Sequence, residues 1–108
     1  MIFANTEKYV GNWKNNEFEG EGIYYFLNKD IYQGHFKNGF FDGNGIMTLH
    51  NGNKYNGEFS KNKKCGKGVY TYSNGDTYDG YWMDDKMSGK GLLIYSNGDV
   101  YDGFREKG

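Results

Sequence analysis

Proline is absent from this chain of 108 residues, and cysteine occurs once, at Cys65. One cysteine excludes an internal disulfide framework and a cysteine-based metal site. Neither sign of charge dominates: 13 basic residues stand against 14 acidic ones, a net charge of −1. That lacks the strong basic balance that marks most nucleic-acid binders, so no nucleic-acid partner is expected. No apolar run approaches the roughly 20 residues of a membrane-spanning helix. Met1-Ile2-Phe3-Ala4-Asn5 has neither the basic nor the apolar segment of a signal peptide, and no Asn-x-Ser/Thr acceptor occurs. The expected setting is cytoplasmic, soluble or peripheral to a membrane or the cytoskeleton. Apolar residues make up 36% of the chain and many are Tyr or Phe, too few aliphatics for a compact multilayer core.

What the chain does have is glycine, 18 residues of it, and aromatics at 19%. Glycine-rich disordered segments usually carry proline and few rings, so a folded chain is expected. The glycines are periodic. A block of 23 residues begins at Tyr9, Tyr32, Tyr55 and Tyr78, dividing the chain into 9–31, 32–54, 55–77 and 78–100, with a truncated copy over 101–108. Each copy opens Tyr-x-Gly, and the complete ones place Trp13, Phe36, Phe59 or Trp82 two residues on. A Gly-x-Gly pair follows (Gly20/Gly22, Gly43/Gly45, Gly66/Gly68, Gly89/Gly91), then an apolar run and Asn-Gly at Asn51, Asn74 and Asn97. Strict self-similarity of this kind means one small unit stacked on its neighbour.

Tyr55-Asn56-Gly57-Glu58-Phe59 alternates apolar and polar residues with a period of two, and Val69-Tyr70-Thr71-Tyr72 is β-branched and aromatic. Both patterns belong to strands, so each repeat supplies two. The expected connections are a loose polar loop, Ser60 to Cys65, and a tight turn at Ser73-Asn74-Gly75. A two-residue turn there would pair Tyr78 with Thr71. A three-residue turn with Gly75 left-handed pairs it with Tyr70 and puts the opening tyrosines, the Trp/Phe positions and both glycine sets on one face. The second register is expected. About nine strands then form a single-layer, curved antiparallel meander of stacked hairpins, all-β and roughly 40 Å long at ~4.8 Å per strand. Its aromatic face is expected to be concave, with the rings lying over vacated glycine backbone. Stability in such an array comes from neighbouring repeats. The first copy has Lys29-Asp30 where later ones have Gly-Asn or Gly-Asp, and Arg105 takes the Trp/Phe position of the fifth. Two weakly capped edges imply a longer array or an edge-pairing chain.

This pattern, Tyr-x-Gly-x-Phe/Trp, Gly-x-Gly, Asn-Gly-Asp, resembles the MORN repeat over residues 9–104. The resemblance implies an all-β ribbon without intrinsic catalysis or cofactor and with scaffolding roles. Proteins similar in this motif include membrane tethers, lipid kinases in which the repeats are accessory, axonemal components and cytoskeletal scaffolds. It also implies three binding modes: anionic phospholipid, a groove for a partner's peptide or helix, and self-association as a homodimer or end to end.

Other chemistry is weaker. A dinucleotide fingerprint needs a third glycine where this chain has Tyr25, Thr48, Thr71 and Ile94, and it needs a helix. Lys67-Gly68-Val69-Tyr70-Thr71-Tyr72 is like an RNA-stacking strand, but the equivalent Gly45 to Leu49 has neither charge nor ring. His35 and His50 fall at unrelated positions without carboxylates at ligand spacing. Asp84-Asp85 reads as a solvated loop with no nucleophile beside it, so acid/base catalysis is not expected. Cys65 shares its position with Glu19, Asp42 and Ser88, which implies exposure.

Two features remain. Tyr9, Trp13, Tyr32, Phe36, Tyr55, Phe59, Tyr78 and Trp82 are the candidate groove for a protein partner's helix or extended segment. Lys61, Lys63, Lys64 and Lys67 are the candidate contact for anionic lipid. The lysines make the middle of the chain basic, whereas Glu17, Glu19, Glu21 and Asp79, Asp84, Asp85 make its ends acidic.

Overall fold

A computed structural model describes residues 7–105. Met1 to Asn5, the last three residues of the fifth copy and the Arg105 side chain lie outside the description. The chain forms one nine-stranded antiparallel sheet whose spatial order is its sequence order. The strands are β1 (Lys8–Lys14), β2 (Glu17–Tyr25), β3 (Ile31–Lys37), β4 (Phe40–Thr48), β5 (Lys54–Ser60), β6 (Lys63–Thr71), β7 (Thr77–Met83), β8 (Lys86–Ile94) and β9 (Val100–Arg105). The ribbon measures 45 × 23 × 19 Å. Tyr78 pairs with Tyr70, as the three-residue turn requires.

That turn recurs on one rim of the ribbon. The Tyr72 and Asp76 backbones bond (2.8 Å), the Gly75 N–H returns to the Tyr72 carbonyl (2.9 Å), and Gly75 has φ +96°. Glycine suits this left-handed position; the first repeat puts Lys29 there, at φ +81°. Lys29→Gly is therefore expected to raise stability by about 0.5–1 kcal/mol. A thermal melt with an unchanged or lower midpoint would reject that account.

The Asn and Asp around each such glycine have separate tasks. Asn74 Oδ1 accepts the Asp76 N–H (2.9 Å), closing its own turn, and Asp76 Oδ1 accepts the Ser96 N–H of the next repeat's turn (2.8 Å). Asn53 does the same for Ser73 and Asp30 for His50, each at 2.8 Å. One rim is thus stapled repeat to repeat. Asp30 also meets the His50 ring, its Oδ1 2.8 Å from Nδ1, and His35 Nε2 lies 3.9 Å from Glu21. Both histidines therefore have carboxylate neighbours, contrary to the spacing expected from sequence, because register brings together residues far apart in the chain. Burial alone would raise the Asp30 carboxyl, but the hydrogen bonds from His50 and Asn28 outweigh it and hold it below its ordinary value.

The other rim corrects an expectation. The segment from Ser60 to Cys65 is no loose loop: β5 runs to Ser60, β6 starts at Lys63, and Lys61-Asn62 forms a two-residue turn with φ 47° and 73°. Asn15-Asn16, Asn38-Gly39 and Asp84-Asp85 repeat it with two positive φ values each. Asp85 is likewise not merely solvated. Its carboxylate accepts the Lys64 N–H (2.8 Å) and its own N–H donates to the Lys64 carbonyl (3.1 Å). Asn62 makes the matching pair of bonds with Phe41, at 2.8 and 3.0 Å.

Across these two-residue hairpins the register steps by two residues. Phe36 faces Phe41 while Gly34 faces Gly45, and the extra residues on β4 include Gly43 at φ +93°. A step of two moves no side chain to the other face, so the aromatic face stays whole.

Candidate interaction faces

The sheet has two unlike faces. On the first, each opening tyrosine lies over a pair of glycines on adjacent strands. Tyr32 covers Gly34 and Gly45, and Tyr55 covers Gly57 and Gly68. The phenol donates to the carbonyl three residues on: Tyr9 to Asn12 and Tyr32 to His35 (2.7 Å each), Tyr55 to Glu58 (3.0 Å), Tyr78 to Tyr81 (3.2 Å). A second tier of side chains closes over them. Phe41 stacks on Tyr32 at 4.1 Å and 15°, and Phe36 and Phe59 meet its edges at 5.1 and 5.2 Å. Phe36, Phe59 and Trp82 also bridge repeats, as Trp82 does by touching Tyr55 (5.3 Å) and Tyr78 (5.4 Å) while Nε1 donates to the Gly68 carbonyl.

This packing decides the fate of the eight candidate groove residues. Tyr9, Tyr32, Phe36, Tyr55, Phe59, Tyr78 and Trp82 are buried, the four tyrosines completely; Trp13 is 44% exposed. The seven form the core of the ribbon and have almost no surface to offer a partner. A single sheet can bury them because glycine removes the side chains that would hold the rings away from the backbone, and the second tier of rings takes the place of a second sheet.

The four lysines do not share one surface either. Lys61 is at a turn tip, and Lys63 and Lys67 are exposed, whereas Lys64 points into the aromatic face. Lys64 occupies the position filled by Phe18, Phe41 and Met87 in the other repeats. Its Nζ lies 5.6, 5.9 and 5.7 Å from the rings of Tyr55, Tyr70 and Trp82 and 3.7 Å from Asp85 Oδ1. The ammonium replaces the second-tier ring by cation–π attraction, and its stem fills the space. Lys64→Ala is expected to cost about 1 kcal/mol and Lys64→Met to recover most of it. Equal losses in urea melts of the two variants would show that filling this space is not what matters. Cys65 is half-buried, not exposed, and burial, then Glu58 and Asp42, push its thiol up, away from nucleophilic character.

The second face is open. Register places Val10, Ile23, Gln33, Ile46, Asn56, Val69, Asp79 and Leu92 in one row across eight strands. From β2 onward the even strands supply aliphatic residues, Ile23, Ile46, Val69 and Leu92, all half-buried; the odd strands from β3 supply Gln33, Asn56 and Asp79. A depression of about 570 Å³ lies over this row from β1 to β5, and another of about 250 Å³ from β6 to β8. Both depressions lie on the face opposite the buried tyrosines, and none of the eight candidate groove residues lines them. Sequence reading overlooked this row, although its signal, an aliphatic residue every 23 positions, was present.

The comparisons come to one family. No curated protein matches the chain closely enough to serve as a relative. The family pattern described as MORN repeat matches residues 9–31, 32–54, 55–77 and 78–100. MORN repeats are non-enzymatic modules for protein and membrane interaction. The matched blocks begin at the four tyrosines that lie on the glycine pairs and span all but the last of the nine strands: this chain belongs to the MORN-repeat family.

Proposed function

We propose that the chain is a non-enzymatic scaffold and interaction module that holds a helical or extended segment of a protein partner along its open face. The observation that carries this reading is the aliphatic row, half-buried side chains that recur on alternate strands above two depressions. Apolar side chains in a row, separated by hydrogen-bonding ones, supply anchors and register together. Their spacing of two strands is about 9.6 Å, near the ~10.5 Å of seven helical residues and the ~9.3 Å of one polyproline II turn. It is far from the ~6.7 Å between like-facing residues of a β-strand. A helix or a polyproline II segment lying along the ribbon therefore suits the row better than a strand does.

The test is co-purification from cells with the wild-type chain and with Ile46→Ser/Leu92→Ser. These residues are not part of the aromatic core, so circular dichroism and melting should change little. Loss of a partner is the expected result; undiminished recovery by a folded variant would overturn the reading.

Two further modes have their own observations. Exposed Lys63 and Lys67 favour peripheral attachment to anionic phospholipid, which flotation with and without anionic lipid would check. Among the described residues the outer strands β1 and β9 each have one neighbour, which favours homodimers or end-to-end assembly, read by light scattering across concentration. No helix among the described residues is long and apolar enough to cross a membrane. A cytoplasmic position beside cytoskeleton or membrane completes the proposal.

A further inference from the structure

The open face is chemically uneven along its length, and the repeat makes the unevenness measurable. Two positions of each 23-residue block border the groove on the side of the two-residue turns. The first holds Glu17, Phe40, Lys63 and Lys86 in successive repeats, and the second holds Glu21, Asn44, Lys67 and Lys90. The backbone is the same in every repeat, so the side chains alone change. Glu21 and Asn44 line the depression over β1–β5, whereas Lys67 and Lys90 line the one over β6–β8 on either side of half-exposed Tyr81. Lys63 and Lys86 precede Lys64 and Met87, which pack on the aromatic face, so the pleat turns them to this one.

All four lysines are exposed, and among the described residues none pairs with a carboxylate. Among the described side chains two carboxylates face the same region: Asp79 lines the smaller depression, and Glu58 accepts a hydrogen bond from the Lys67 N–H. Even counting Asp102, which pairs in register with Leu92, four ammonium groups against three carboxylates leave this half positive. The other half presents Val10, Ile23 and Ile46 among amides, with Glu21 as the charged lining residue.

The geometry points to a partner segment of mixed character, aliphatic where it lies over β1–β4 and acidic where it lies over β6–β8, so that the charge fixes its direction along the ribbon. This rests on the groove reading above. Aliphatic side chains enter between Ile23 and Ile46, and carboxylates reach Lys67 and Lys90, with Lys63 and Lys86 at the border. The lysines stay partly in water, so they contribute orientation and encounter rate more than affinity.

The probes are two synthetic peptides with the same leucine-rich half, one continuing in glutamates and the other in lysines, each carrying a paramagnetic label at its charged end. The glutamate peptide should bind at least tenfold tighter than the lysine peptide at low salt, and the difference should shrink as salt is raised. Its label should broaden backbone amides of β6–β8 and leave those of β1–β3 sharp. Lys67→Ser/Lys90→Ser, two exposed positions, should weaken it about tenfold.

Ile46→Ser/Leu92→Ser separates the two ideas. Equal binding of both peptides that this variant abolishes would leave the groove standing and overturn its polarity. Binding of neither peptide, or binding that this variant does not weaken, would reject the groove and the polarity with it. Recruitment of the protein to anionic vesicles through the same lysines, without tight binding of the glutamate peptide, would assign the basic half to lipid and overturn the proposal.

Discussion

Gly68→Ala is expected to disrupt the core of the third repeat and its junction with the fourth, at about 3 kcal/mol or more. A Cβ at Gly68 would stand 2.5 Å from Tyr55 Cε1 and Cζ, a separation that real atoms do not tolerate. Tyr55 cannot retreat, because its ring is fully buried, with Phe59 at 5.1 Å and Trp82 at 5.3 Å on its edges. Overpacking a closed core typically costs about 1–3 kcal/mol, and here the intruding atom meets a ring laid against backbone. For a domain of this size, 3 kcal/mol lowers the melting midpoint by roughly 12 °C or more. Gly89→Ala is the control. Gly89 has φ +71° but nothing within 4 Å of an added Cβ, so only the left-handed backbone opposes the change, at about 1–2 kcal/mol. Equal midpoints for the two variants in calorimetry would refute the tyrosine-on-glycine account.

Tyr32→Ala is expected to cost about 3–5 kcal/mol, a large share of the 5–15 kcal/mol that holds a typical domain folded. Tyr32 is the hub of a ring cluster that takes in Phe36, Phe41 and Phe59, so truncation removes a partner from each and leaves a cavity. Tyr32→Phe keeps the ring and loses only the 2.7 Å hydrogen bond to the His35 carbonyl, which is worth about 1 kcal/mol. Urea unfolding should therefore rank wild type, Phe and Ala in that order with a wide gap before Ala, and a Phe variant as weak as Ala would show that the hydroxyl, not the ring, carries the stability.

The same burial gives the fold an alkaline limit. Burial, then Glu21 and Asp42, raise the Tyr32 phenol; burial likewise raises Tyr55; and burial with Glu7 pushes Tyr24 up to about 12. A group whose folded pKa exceeds its unfolded value contributes stability fully below the unfolded pKa. That stability should be complete below about pH 10 and should fall as pH rises through the folded values. Asp30 behaves in the opposite sense. Its lowered carboxyl contributes above its ordinary pKa, and the contribution is lost as pH falls through the folded one.

The fold was legible because the repeat carries redundant signals. Tyr78 opposite Tyr70 followed from choosing the turn that keeps tyrosines and glycines on one face, and four copies of the pattern support the same choice. The Ser60–Cys65 connection was misread because Lys61-Asn62 lacks the glycine usual in a tight turn. Its two left-handed residues are held by bonds such as that from the Phe41 N–H to Asn62 Oδ1, which join residues 21 apart in the chain. Lys64 was misread for a similar reason: as a letter it is one lysine of a cluster, and only its neighbours on other strands show that it replaces a ring. Seven of the eight candidate groove residues are core because recurrence marks importance without saying whether a ring faces a partner or its own chain.

By itself, then, the sequence determined the period, the strands, the turn at Ser73-Asn74-Gly75 and the sharing of one face by tyrosine and glycine, all of which depend on residues close together in one block. What only the tertiary structure decided is which face is closed. A tyrosine with no side chain beneath it, a ring of its own repeat stacked on it and a ring of the next repeat at its edge becomes core, and that geometry exists only once the strands of neighbouring repeats lie in one sheet. The open face, its aliphatic row and its lysine-bearing half remained once the rings had turned to one another.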